Sequence, residues 1–158
     1  MWAATIGGLA GTLVLTSLLR AASELRLTRV DLPFLLGTAV TADRQRAKLV
    51  GYLLHLVAGV LFSLAYYVGF LGLGRAGWLL GGAFGVIHGV FAMTGLVNVL
   101  LPVIHPRMGS SLSSVESMAL IEAPGFLMLN YGRSTPVVTL IAHVIYGAIV
   151  GGFVSFAR

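Results

Sequence analysis

"LVGYLLHLVAGVLFSLAYYVGFLGLG", Leu49 to Gly74, contains no acidic or basic residue and is bounded by Lys48 and Arg75. A helix needs about 20 residues to cross ~30 Å of hydrocarbon, so this run is long enough to span a bilayer. Two similar runs follow, Ala76 to Pro106 and Ser134 to Ala157, and a shorter one, Trp2 to Leu19, precedes it. Charged residues make up 9% of the 158 and hydrophobic ones 58%, against roughly 25% charged in an ordinary soluble domain. The expected fold is an all-α integral membrane protein with four transmembrane helices in a single domain, residues 1–158. Little chain is left for a soluble catalytic domain.

The ends of the runs carry recognisable signals. "GLGRAG", Gly72 to Gly77, reads as a short turn. Pro102 marks the end of the third span, and Ser134 or Thr135 caps the fourth, with Pro136 where a first-turn proline is tolerated. Between them, Ser113 and Glu116 fit a capping box, and Leu112, Val115 and Ala119 give the following helix one apolar face. That helix is expected at the membrane surface. Pro124 and Gly125 then turn the chain, and Phe126 to Asn130 is too short to span and is expected in the interface.

The net charge of +5 sits in the loops. Arg20, Arg26, Arg29, Arg44, Arg46 and Lys48 lie between the first two spans, and Arg107 and Arg133 between the last two; only Arg75 and Arg158 lie on the other side. The positive-inside rule then places both long loops in the cytoplasm and both termini outside it. Basic groups so placed set topology and meet lipid phosphates, so no nucleic-acid partner is expected. The first apolar run lacks a basic leader and is read as a span, not a cleaved signal. There is no cysteine, which excludes disulfides and thiol chemistry.

Three segment pairs recur in the same order: "GGLAG" at Gly7 with "GGAFG" at Gly81, "DLPFLL" at Asp31 with "EAPGFLML" at Glu122, and "HLVAG" at His55 with "HVIYG" at His143. This predicts a parallel internal repeat, residues 1–73 and 74–158, each half supplying two spans and an interfacial segment. The "RVDLPFLLGT" and "EAPGFLMLNYGR" segments, with the histidine-bearing spans, resemble the small uncharacterised four-span inner-membrane proteins of bacteria, of the YagU-like kind. The resemblance implies a bacterial inner-membrane location and a four-helix fold, and it brings no catalytic residue.

His55 and His143 each sit in an otherwise unionisable span, each followed four residues later by a glycine, Gly59 or Gly147. Small residues on one helix face let backbones approach closely in lipid. Both imidazoles are thus expected to face another helix or a cofactor. Counted at 1.5 Å per residue, both lie ~10 Å from one membrane face, and His88 lies about another 10 Å along the normal. A three-histidine metal cluster is therefore strained, whereas a pair on spans two and four suits the axial ligands of a haem, or a chlorophyll-type pigment. The alternative is an interhelical hydrogen bond to a carbonyl, Tyr67, Tyr146 or Asn98. His105 with Glu116 or Glu122 forms a weaker metal candidate, and a solvated loop histidine is the plainer expectation.

Every carboxylate, Glu24, Asp31, Asp43, Glu116 and Glu122, falls outside the charge-free runs, so no intramembrane acid pair exists for proton coupling. No phosphate-binding loop, HExxH or nucleophile elbow occurs. The function expected is that of a small subunit or scaffold in a larger membrane assembly, with other membrane subunits or further copies of itself as partners. Two alternatives stand beside it: a histidine-ligated electron carrier, and a small transporter or channel, for which the repeat argues. Cysteines introduced at Gly74 and Ser110 should react with an impermeant thiol reagent from opposite sides of the membrane. Reaction of both from one side would overturn the topology.

Overall fold

The computed structural model describes residues 1–108 and 121–157, so the expected surface helix around Ser113 lies outside the described residues. The described chain is helical: α1 (Trp2–Glu24), α2 (Leu32–Val40), α3 (Arg44–Gly72), α4 (Trp78–Phe91), a π-helical stretch Ala92–Leu100 continuing into α5 (Leu101–Ile104), a 3-10 segment Phe126–Tyr131, and α6 (Thr135–Phe156). Among the described residues four helices are long and apolar enough to cross a membrane: α1 with 23 residues, α3 with 29, α4 through α5 with 27, and α6 with 22.

The starts of the helices follow local chemistry. The Asp31 carboxylate accepts the Phe34 N–H at 2.9 Å and Pro33 occupies the first turn of α2. Asp43 does the same for α3, accepting from Arg46 N–H at 2.8 Å. Each cap satisfies one of the donors a helix start leaves free. Ser134 precedes α6 without a side-chain cap, and Thr135 is instead buried against Thr28, hydroxyl to hydroxyl at 2.7 Å.

Helix α6 packs on α4 on one side and on α1 on the other; α1 also packs on α3, and α2 lies along the start of α3. Glycines set these contacts. A Cβ at Gly81 would collide with the Gly147 carbonyl, one at Gly147 with that of Gly81, and one at Gly85 with that of His143. At the α2–α3 contact, Gly37 meets the Ala47 carbonyl and Gly51 that of Pro33. Between α1 and α3, Gly8 faces Ser63 and Gly59 faces Thr12. Lipid offers no hydrophobic drive for helix association, so this close fit supplies dispersion contacts that larger residues would prevent.

The pair α3 and α4 differs. Their backbones stay apart and aromatic rings fill the gap: Phe70 stacks on Phe84 at 5.1 Å, Tyr66 meets Phe84 edge-on at 5.4 Å, and Phe62 stacks on His88 at 3.9 Å. After Phe91 the helix widens to π geometry, with the Leu101 N–H reaching back to the Leu96 carbonyl. Pro102 follows directly and has no N–H to give Asn98, so the α ladder could not close there in any case.

At the end carrying α2, hereafter the basic end, the two long loops are clasped together. The Arg29 N–H donates to the Tyr131 carbonyl at 2.7 Å, while its guanidinium donates to the Asn130 carbonyl and lies 3.2 Å from Glu122. The ion pair is largely exposed and adds about 0–1 kcal/mol. Tyr131 Oη donates to the Glu122 carbonyl at 2.6 Å; burial, then the Glu122 carboxylate, push its phenol up to about 12, so it keeps its proton at neutral pH. Leu127 and Met128 adopt left-handed backbone, φ 52° and 61°, a strain unusual for non-glycine residues. Met128 is 2% exposed, and its burial in the core helps hold that turn.

Gly147→Ala should destabilise the bundle by about 1–3 kcal/mol, the usual cost of overpacking. Gly152→Ala on the same helix, where a Cβ meets nothing within 4 Å, should stay within about 0.5 kcal/mol of wild type. Reversible unfolding in mixed micelles measures both.

Candidate functional site

The gap between α3 and α4 holds a half-open cavity of about 210 Å³. Its lining comes from every spanning helix and from α2. Its polar atoms come from His55, His88, His143, Tyr146 and Thr12, and the remaining wall is apolar. Leu36, Leu100 and Ile104 frame the mouth, the last two 48% and 62% exposed. Beyond the Phe62–His88 stack, Tyr66, Phe70 and Phe84 fill the space between α3 and α4.

His143 is 4% exposed, and its Nδ1–H donates to the Thr139 carbonyl at 2.8 Å, one turn back on α6. A carbonyl only accepts, so this bond sets the tautomer and leaves Nε2 as a lone pair. His55 lies on the α3 stripe between Gly51 and Gly59, and lines the same cavity. Its Nε2 is buried without a hydrogen-bond partner. Tyr146, fully buried, donates its hydroxyl to the Gly59 carbonyl and so ties α6 to α3 beside the imidazoles.

His88 joins them. Its ring meets His143 edge-on with centroids 4.8 Å apart, not a further ~10 Å away as counting from the helix ends implies. The helix ends are not coplanar: α4 and α6 take their register from Gly85 on the His143 carbonyl and Gly89 on the His143 side chain, which sets His88 at the level of His143. The Nδ1 of His88 is buried and unpaired, as are Tyr66 Oη and Thr139 Oγ1. Each unsatisfied group costs about 1–3 kcal/mol relative to a bonded one. Two of the four belong to cavity-lining residues, His55 and His88, and unpaired buried groups are few in native proteins and call for an explanation.

The other candidates are placed differently. His105 is 4% exposed, not a solvated loop residue. Its Nδ1 accepts the Arg107 N–H at 3.1 Å, which puts the proton on Nε2; that N–H faces the Leu35 carbonyl at 3.1 Å and Thr38 Oγ1 at 3.2 Å. Both nitrogens are engaged, Nε2 in fastening α2 to the end of α5 and Nδ1 in holding the turn that follows. Glu122 pairs with Arg29, and Glu116 lies outside the described residues. Among the described residues no group of three or more histidines or carboxylates is arranged to hold a metal ion. Gly59 and Gly147 serve the α1–α3 and α4–α6 contacts; Gly59 also lines the cavity.

Sequence reasoning did not identify the aromatic side of the site. Phe62, Tyr66 and Phe70 recur every four residues, a one-face spacing that was available as a signal. The widened helix after Phe91, which contributes Ala92, Leu96, Val97 and Leu100 to the wall, had only Pro102 to announce it. Compared with known protein families, curated proteins and solved structures, the chain matches none.

His105→Ala should cost about 1–3 kcal/mol by leaving the Arg107 N–H unsatisfied and removing the donor to the Leu35 carbonyl. Chemical unfolding followed by circular dichroism measures it.

Proposed function

We propose that this protein binds a small lipid-phase molecule at the histidine-lined cavity between α3 and α4, and does so as a compact subunit of a larger membrane assembly. One observation carries the reading: three imidazoles and a tyrosine line an apolar, half-open cavity, and two of the imidazole nitrogens, His55 Nε2 and His88 Nδ1, are buried without partners. Ionisable side chains inside spans are costly and are retained mostly for function. A mouth framed by Leu36, Leu100 and Ile104 admits hydrocarbon more readily than water.

The wider setting belongs to the same proposal. The loop charges favour both termini outside the cytoplasm of a bacterial cell, with the basic end and the cavity mouth on the inner side, among anionic headgroups. The two halves would descend from one duplicated pair of spans. In support, α1 meets α3 and α4 meets α6 through the small residues of the repeated segments, Gly8 and Gly59 in one half and Gly81, Gly85 and Gly147 in the other.

A second reading is ligation of a tetrapyrrole, favoured by one feature. His143 gives its Nδ1 proton to a backbone carbonyl and keeps Nε2 free, the orientation a metal-ligating histidine adopts. Against it, 210 Å³ lies below the roughly 300–1,000 Å³ that pockets for drug-sized ligands offer, and a macrocycle is larger than most of these.

Protein extracted under mild detergent should carry a near-stoichiometric small molecule, recovered by solvent extraction and identified by mass spectrometry. Ala92→Phe, which fills the cavity, should lose it. If the wild type and Ala92→Phe release the same extract, the binding role is wrong; an absorption spectrum of the same sample with a Soret band would move the assignment to the second reading.

A further inference from the structure

We infer that the ligand is a neutral aromatic ring bearing hydroxyl groups on a hydrocarbon tail, of the isoprenoid quinol class. This rests on the cavity being a binding site, and it deepens that reading by naming the chemistry. Among the described residues the lining contains no Lys, Arg, Asp or Glu, so a phosphate or carboxylate headgroup would be buried without a counter-charge and is disfavoured. The ligand's polar part is therefore uncharged.

Shape and polar groups narrow it further. A cavity of about 210 Å³ accommodates a headgroup but not a whole amphiphile, so a tail must leave through the mouth beside Leu100 and Ile104 into lipid. The wall holds stacked and edge-on rings, Phe62 on His88 at 3.9 Å and Tyr146 against His88 at 5.7 Å, surfaces on which a flat ring packs well. His143 Nε2 can only accept a hydrogen bond, because its Nδ1–H is committed to Thr139. It therefore suits a ring hydroxyl. No hydrogen bond sets the tautomer of His88, which can present an N–H to a second ring oxygen. One acceptor and one adaptable donor in a charge-free slot match a quinol, whose hydroxyl donates to His143, better than a sterol or an acyl chain with one polar end.

The test uses the full-length protein in phosphatidylcholine nanodiscs, titrated with decyl-ubiquinol and with decylbenzene, which has the same tail and a ring without oxygen. The quinol should bind about tenfold or more tightly than decylbenzene, as loss of a buried hydrogen bond requires. His143→Leu should remove that preference and leave decylbenzene binding unchanged, and His143→Gln, which keeps an acceptor, should restore part of it. Equal binding of the two probes to wild type, or a quinol preference that survives in folded His143→Leu, would overturn the quinol assignment and leave the cavity as an apolar binding site. Failure of both probes to bind would overturn the binding role itself. The wild-type comparison of the two probes decides the matter even where His143→Leu fails to fold.

Discussion

The bundle depends on backbone-to-backbone contact between α4 and α6, where Gly81 and Gly147 leave no room for even a methyl group. In water, burying leucines would be enough to hold two helices together. In lipid the surrounding chains are as apolar as leucine, and association must come from fit. Glycine allows the shortest interaxial distance, and at that distance the register cannot slide without a carbonyl meeting a side chain. The position of every residue on α4, His88 included, follows from that register.

Close approach on one side forces separation on the other. Helix α3 spends its small residues, Gly51, Gly59 and Ser63, on α2 and α1, and α4 spends Gly81, Gly85 and Gly89 on α6. Where α3 does turn a glycine to α4, at Gly69, it receives the Phe84 ring and not a backbone. Phe62, Tyr66, Phe70 and Phe84 occupy that boundary, and rings hold backbones farther apart than glycines do. The cavity is the part of this gap that the rings do not fill, and the π-helical stretch from Ala92 to Leu100 supplies much of its wall. A widened helix beside unpaired histidines is a common mark of a functional position.

The loops at the basic end keep the spans from splaying. Thr28 with Thr135, Arg29 with the Asn130 and Tyr131 carbonyls, and His105 with Leu35 and Thr38 join segments that are remote in sequence. Most of these bonds satisfy backbone groups that would otherwise be orphaned where the chain leaves its helices. They also position α2, whose Leu32 and Leu36 contribute to the cavity wall.

The four spans and their approximate ends were legible in the sequence, because charge exclusion from hydrocarbon acts through local composition; the caps at Asp31 and Asp43 came only with the structure, and Ser134 stands at the expected cap position without the side-chain bond. The glycine stripes were legible too, as faces on which helices could meet. Which stripe meets which was not. That pairing depends on the relative height and rotation of helices far apart in the chain, which is why counting residues from the ends misplaced His88 and why His105, flanked by loop residues, was read as solvated. The tertiary structure alone decided that three imidazoles share one cavity, since their convergence follows from glycine-to-carbonyl contacts across α4 and α6 and from aromatic rings keeping α3 and α4 apart, and no local window of sequence contains both partners of either contact.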